Sequence, residues 1–100
     1  MNLNPIQLIT IIALDSLENE LIEDLKKCEV KGYTVSEARG EGLSVVRNSE
    51  WEGRNIRIEA LVKEEVLEKV YSLLATKYFP NYKMIAFSQQ VNIFRKEKFS

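Results

Sequence analysis

The chain of 100 residues has the length of one domain, residues 1–100, and contains 14 Lys and Arg against 15 Asp and Glu, a net charge of −1. That balance excludes the positive excess typical of nucleic-acid-binding proteins. Histidine is absent and Cys28 is the single cysteine, which removes the commonest general base, the commonest metal ligand and every multi-cysteine zinc site.

The first predicted strand covers residues 6–14, which are apolar at nearly every position and rich in β-branched side chains. Such a run predicts a strand that is covered on both faces. It is too short to span a bilayer, and no basic leader precedes it. We therefore expect no membrane insertion and a cytoplasmic location.

A helix is predicted directly after this strand. Asp15 is expected to be its N-cap, and Glu18, three residues later, would close a capping box. Gly32 is expected to end this helical unit. The buried face is predicted at Leu17, Leu21, Leu25 and Cys28. The acidic residues are expected to form a solvent-exposed face: Glu18, Glu20, Glu23 and Asp24.

The second half of the pattern repeats the first. Residues 33–39 alternate in polarity and predict a second strand, and residues 40–54 hold three of the four glycines and predict a long loop. Residues 55–62 alternate again and predict a third strand. An amphipathic helix ending near Tyr78 and a strand over residues 84–94 complete the order β-α-β-β-α-β.

This order is typical of the ferredoxin-like fold of the α+β class, in which two helices cover one face of a four-stranded antiparallel sheet. The other face would be bare. The first strand would place Ile9, Ile11 and Ala13 on one face and Leu8, Ile12 and Leu14 on the other. A bare face with such residues is an association surface, and we therefore expect a closed homo-oligomer.

The densest candidate motif lies where the second strand ends. Gly40 and Gly42 form a Gly-x-Gly turn, and Arg47 follows five residues later. Glycines let backbone N–H groups approach an anion closely, and an arginine can bind a phosphate through two hydrogen bonds. The spacing alone equally fits a flexible exit from the strand.

Other candidate residues lie on single elements. Thr34 and Glu59 are polar residues on predicted strands and could bind the edge of a base, or could simply be solvated. Lys83 follows a turn, where it could reach a phosphate or be merely exposed. Trp51 in the long loop could anchor a partner protein or pack on its own subunit. Cys28 is expected to be a small buried apolar residue. None of these residues predicts catalysis or a metal site.

At these positions the chain resembles the PII family of signalling proteins. The matching segments are Gly32-Tyr33-Thr34-Val35, Gly40-Glu41-Gly42 and residues 55–62. Residues 77–82, Lys-Tyr-Phe-Pro-Asn-Tyr, resemble the PII-like regulators of the cyanobacterial sodium/bicarbonate transporter more than the nitrogen-regulatory members. The resemblance covers almost the whole chain.

The resemblance implies a non-catalytic, trimeric regulator with an adenine nucleotide (AMP, cyclic AMP, ADP or ATP) in clefts between subunits. It implies that adenine is surrounded by Thr34, Glu59 and the main chain at Leu61. It also implies phosphate contacts from Gly40, Gly42, Arg47 and Lys83.

In this family the loop, here residues 40–54, reaches a partner protein such as a membrane transporter or an enzyme. Leu43 and Ser44 stand where relatives carry basic residues. That departure keeps an alternative open, in which the chain is a trimeric interaction or assembly module that works without a nucleotide.

Overall fold

The computed structural model describes residues 3–40 and 54–94. Over these residues the elements follow the predicted order. The bounds are β1 Asn4–Leu14, α1 Glu18–Lys27, β2 Thr34–Ala38, β3 Asn55–Val62, α2 Glu64–Leu73 and β4 Ile85–Ile93. A 3₁₀ turn, Asp15–Leu17, precedes α1, and a π-helical turn, Leu74–Tyr78, continues α2. The second helical segment therefore ends at the predicted residue.

The four described strands form one antiparallel sheet in the order β2-β3-β1-β4. The central strand β1 pairs with β3 from Gln7↔Val62 to Leu14↔Asn55, and with β4 from Asn4↔Ile93 to Ile12↔Ile85. Together with two helices on one face, this topology confirms the predicted ferredoxin-like fold of the α+β class.

The core lies between the sheet and the two helices. It forms because every second residue of β1 and β3 points to the same face, where the apolar stripes of α1 and α2 cover it. Burial of each Val, Leu or Ile side chain there contributes about 1.5–3 kcal/mol. Its most deeply buried members are Ile9, Ile11, Ala13, Leu21, Leu25, Ile58, Val70, Leu74 and Tyr78.

No described element covers the other face of the sheet, which we call the open face. On β1 it carries Leu8 and Leu14, which are half-buried, and Ile12, which is only 8% exposed. The exposure of Ile12 within one protomer is therefore lower than expected for a residue on the bare face predicted from the sequence. The most exposed apolar side chain of this face is Phe87 on β4, at 46%. Association through the open face stays a prediction.

The predicted capping box at the start of α1 is wrong. The chain enters the helix through the 3₁₀ turn, and neither Leu14 nor Leu17, the residues at the two cap positions, makes a side-chain capping bond. Instead the backbone N–H of Asp15 donates to the carbonyl of Arg54 at 2.6 Å. A main-chain bond from the neighbouring segment thus takes the place of the expected side-chain cap.

The end of α1 is also earlier than predicted, and it does not use Gly32. The N–H of Val30 donates to the carbonyl of Leu25 at 3.0 Å, and the N–H of Glu29 donates to that of Lys26 at 2.9 Å. This is a Schellman motif with Glu29 in the left-handed region, at φ 76°. Gly32 lies three residues further on, so a non-glycine residue ends the helix.

Cys28 lies at the C-terminal cap of α1, where it is half-buried against the core. Burial raises the pKa of its thiol, and the nearby carboxylate of Asp24 adds to that effect. The thiol therefore stays protonated at neutral pH, which agrees with the predicted packing role.

Within residues 3–40 and 54–94, no helix is long and apolar enough to cross a membrane.

Candidate functional site

Three of the predicted site residues come together on the open face. Thr34, the first residue of β2, is the Cα partner of Glu59 on β3. Leu61 lies two residues further along β3 and therefore points to the same face as Glu59. Directly opposed side chains on neighbouring strands have Cβ atoms about 4.5–5.5 Å apart, so Thr34 and Glu59 can contact one small ligand together.

The chemistry of this pair suits the edge of a base. Thr34 is exposed and its hydroxyl can donate and accept, whereas an ionised Glu59 only accepts. Glu59 also faces Arg57, but the charged atoms are 3.9 Å apart and both side chains are partly exposed. Such a pair contributes little energy, so the carboxylate can exchange it for a ligand.

The structure adds a feature that the sequence did not indicate. The ladder between β2 and β3 ends at Thr34↔Glu59, whereas β3 continues to Val62. Residues 60–62 of β3 therefore have no strand partner on the β2 side within the described sheet. Main-chain N–H and C=O groups of this extension that face the β2 side therefore form no ladder hydrogen bonds with β2 and could pair with a ligand. Leu61 lies in this extension, at the position where a main-chain contact is predicted.

The residues predicted to contact phosphate do not lie together in one protomer. Gly40 follows β2 by two residues, and Lys83 precedes β4 by two residues. Both extend from the same end of the sheet, but β2 and β4 are its opposite edges, three strand spacings or about 14 Å apart. One protomer therefore does not bring Lys83 to Gly40. Gly42, Arg47 and Trp51 lie outside the described residues.

A network of charged and polar side chains holds the segment that leads to Lys83. The hydroxyl of Tyr78 donates to Oδ2 of Asp24 at 2.6 Å, and Nζ of Lys77 donates to the same oxygen at 2.7 Å. Lys77 also lies 3.1 Å from Glu20. Asp24 is 7% exposed and Tyr78 is 1% exposed. The prediction that Asp24 belongs to a solvated acidic face is therefore wrong.

The network changes how its members titrate. Burial alone raises the pKa of Asp24, but the hydrogen bonds from Lys77 and Tyr78 outweigh that effect and lower its pKa overall. Burial and the hydrogen bond to Asp24 raise the pKa of Tyr78. At neutral pH the network is thus a charged carboxylate that accepts from a neutral phenol and from an ammonium group.

The position of Asp24 in the sequence contains a signal for this network. Asp24 lies seven residues after Leu17 and three after Leu21, so it falls on the apolar stripe of α1. An acid at such a position must be paired when it is buried. Its partner, Tyr78, lies 54 residues away in the chain and could not be identified from spacing.

Comparison with known proteins now identifies the family. Residues 6–98 match the family described as nitrogen regulatory protein P-II. The chain belongs to the P-II family. A search of curated proteins gives no match.

Two solved structures illustrate the relationship between this P-II family chain and known proteins. A protein from Thermus thermophilus, described as a putative PII-like signalling protein, is 44% identical, with both chains covered over 100% of their length and a TM-score of 0.85. CPII from Thiomonas intermedia K12, solved with ADP, AMP and acetate, is 23% identical, with 99% of this chain and 98% of that chain covered and a TM-score of 0.83. The second comparison supports the fold alone.

Proposed function

We propose that this protein is a non-catalytic PII-like regulator that binds an adenine nucleotide between subunits of a trimer and controls a partner protein through residues 40–54. Family membership supports the regulatory class, and the solved structure of CPII holds ADP and AMP. The partner is a membrane transporter or an enzyme, and the protein acts in the cytoplasm.

The observation that carries this proposal is the arrangement around the end of the β2–β3 ladder. Thr34 and Glu59 are directly opposed, and the unpaired extension of β3 begins immediately beyond them. A carboxylate, a hydroxyl and open main-chain groups complement the donor and acceptor atoms of an adenine edge. From Thr34 to Gly40 the chain runs about 20 Å at about 3.3 Å per residue, which accommodates an extended nucleotide with its phosphates near Gly40.

The separation of the predicted phosphate contacts supports a site between copies. Lys83 and Gly40 lie at opposite edges of one sheet, which favours an arrangement in which the lysine of a neighbouring protomer approaches the phosphates near Gly40. In a cyclic trimer each interface is heterologous, so it joins different surfaces of the two neighbouring copies. The exposed Phe87 and the half-buried Leu8 on the open face supply apolar surface for that association.

The position of residues 40–54 supports their role as the element that reports binding. Their two ends are fixed beside each other, because Ala38 pairs with Asn55 and the carbonyl of Arg54 accepts from Asp15. A nucleotide whose phosphates contact Gly40 and Arg47 would favour one conformation of this segment. A partner that contacts Trp51 would then bind one conformation better than the other.

Isothermal titration calorimetry with AMP, cyclic AMP, ADP and ATP tests the nucleotide site. Thr34→Val keeps the volume but removes the hydroxyl, and should weaken binding about threefold to tenfold, the effect of one hydrogen bond. Arg47→Ala should weaken nucleotides with more phosphates most. Ser36→Ala is the matched control, because Ser36 is the next outward-facing residue of β2 and lies opposite Arg57, so its removal should change nothing.

Absence of heat and of thermal shift with all four nucleotides would refute nucleotide binding. The alternative is then the trimeric interaction or assembly module that works without a nucleotide. Capture of partners from a native extract, with Trp51→Ala as control, separates the two. The regulator requires capture to change when nucleotide is added, whereas the alternative requires equal capture in both conditions.

A further inference from the structure

The segment between α2 and β4 depends on Tyr78 for its position. The carbonyl of Tyr78 accepts from the N–H of Asn81 at 3.0 Å and from that of Tyr82 at 2.9 Å. The rings of Tyr78 and Tyr82 also contact, with centroids 6.2 Å apart and an interplanar angle of 41°. Lys83 is the next residue after Tyr82, so the turn from which it projects is tied to Tyr78 by two main-chain hydrogen bonds and one ring contact.

The turn has little packing of its own. Residues 79–83 are all exposed, and the large side chains of Phe79 and Tyr82 have 44% and 39% of their surface in solvent. Tyr78, in contrast, is buried, and its hydroxyl donates a hydrogen bond to the carboxylate of Asp24 on α1. A hydrogen bond to an ionised acceptor at 2.6 Å is short and strong. The turn is therefore connected to the interior of the protomer through the buried side chain of Tyr78.

We propose that Asp24 and Tyr78 are positioning residues for Lys83, which they hold in place for a phosphate without touching the ligand. This inference rests on the proposed nucleotide site and goes beyond it, since it assigns a role in phosphate affinity to a pair on the helix-covered side of the protomer. The helices α1 and α2 would otherwise serve only the core.

The hydroxyl of Tyr78 is the group to remove. Tyr78→Phe keeps the ring and its packing but releases the bond to Asp24. Affinities for adenosine, AMP, ADP and ATP, measured by calorimetry, separate a loss at the phosphates from a loss of the whole site. We expect ADP and ATP to bind about threefold to tenfold more weakly and adenosine to bind as before, because Tyr78→Phe removes one hydrogen bond from the restraint on Lys83 and none from the adenine contacts.

A double-mutant cycle with Lys83→Ala tests whether the effect passes through Lys83. Tyr78→Phe should cause no further loss of ADP affinity in the Lys83→Ala background. Asp24→Asn, which keeps the side-chain volume, is the second variant and should give the same pattern if Tyr78→Phe does not fold. Tyr71→Phe is the matched control: it removes the hydroxyl of a tyrosine on α2 that donates to Ser88 on β4, and it should leave ADP affinity unchanged.

Three results would overturn the inference while leaving the nucleotide site intact. One is equal weakening of adenosine and ADP, which is the effect of general loosening. Another is the same loss of ADP affinity with and without Lys83. The last is unchanged ADP affinity in both Tyr78→Phe and Asp24→Asn. If wild-type protein binds neither these four compounds nor cyclic AMP, the inference and the proposed function are both refuted.

Discussion

Removal of the Asp24 carboxylate tests the energy of the contact between α1 and the end of α2. In Asp24→Ala the hydroxyl of Tyr78, in a side chain that is 1% exposed, loses its acceptor. A buried donor without a partner costs about 1–3 kcal/mol, and loss of a hydrogen bond to a charged group costs about 1.5–3 kcal/mol. We therefore expect about 2 kcal/mol of destabilisation for Asp24→Ala and a similar loss for Tyr78→Phe.

The double variant decides whether the two losses are one interaction. Asp24→Ala with Tyr78→Phe should lose about 2–3 kcal/mol rather than the sum of the singles, because each single change already removes the shared bond. Urea denaturation followed by circular dichroism, at one protomer concentration, should show each single midpoint about 1–2 M lower. Glu23→Ala, an exposed acidic neighbour, should leave the midpoint unchanged. Additive losses in the double variant, or an equal loss in Glu23→Ala, would refute the argument.

Three further predictions concern pH, the end of α1 and assembly. Hydrogen bonds hold the pKa of folded Asp24 below its usual value, so its contribution to the free energy of unfolding should be present above about pH 4 and lost as the pH falls further. Urea titrations of Asp24→Asn at several pH values should lack this pH-dependent part of the stability. Identical acid profiles of the variant and wild type would contradict the prediction. Glu29→Gly should melt several degrees above Glu29→Ala, since residue 29 adopts φ 76°. The Gly and Ala variants of Glu23, which lies inside the helix, should show the reverse order. Equal melting temperatures of the two variants at residue 29 would contradict the conformational argument. In sedimentation velocity, Phe87→Asp should form a smaller species than wild type, because Phe87 is exposed on the open face. Gln90→Asp, on the other face of β4, should sediment like wild type. A wild-type sedimentation profile for Phe87→Asp would exclude association through the open face.

Regular patterns predicted the fold well. Period-two alternation predicted the bounds of β3 without error and those of β2 to within one residue at each end. The predicted strand over residues 84–94 also agrees with β4 to within one residue at each end. The ends of α1 were harder, because they depend on main-chain contacts that side-chain types do not specify. Arg54 accepts from the start of α1, and Glu29 takes the left-handed position that a glycine usually occupies. The first depends on tertiary structure, whereas the second is a local motif in which a residue other than glycine adopts positive φ.

The candidate site was predictable in its members but not in its geometry. Family motifs supplied Thr34, Glu59 and Leu61, and strand alternation placed the last two on one face. Their register with β2 could not be obtained from the sequence, because the turn between β2 and β3 is long and does not define a pairing. The same is true of Asp24 and Tyr78, whose contact joins two helical segments that are distant in the chain.

The distribution of side chains over the open face explains why association and ligand binding are coupled in the proposed function. The part formed by β1 and β4 is largely apolar, with Phe87, Leu8 and Ile85, whereas the part formed by β2 and β3 carries Thr34, Ser36, Arg57 and Glu59. If copies pack through the apolar part, burial of the charged part would cost free energy unless its side chains were hydrogen-bonded or ion-paired. The charged part would therefore remain at the rim of the contact. In the proposed site, a ligand at that rim would contact Glu59 of one protomer and the β4 side of its neighbour. Binding there would thus stabilise the assembly, and dilution of the assembly would weaken binding, which follows from linkage.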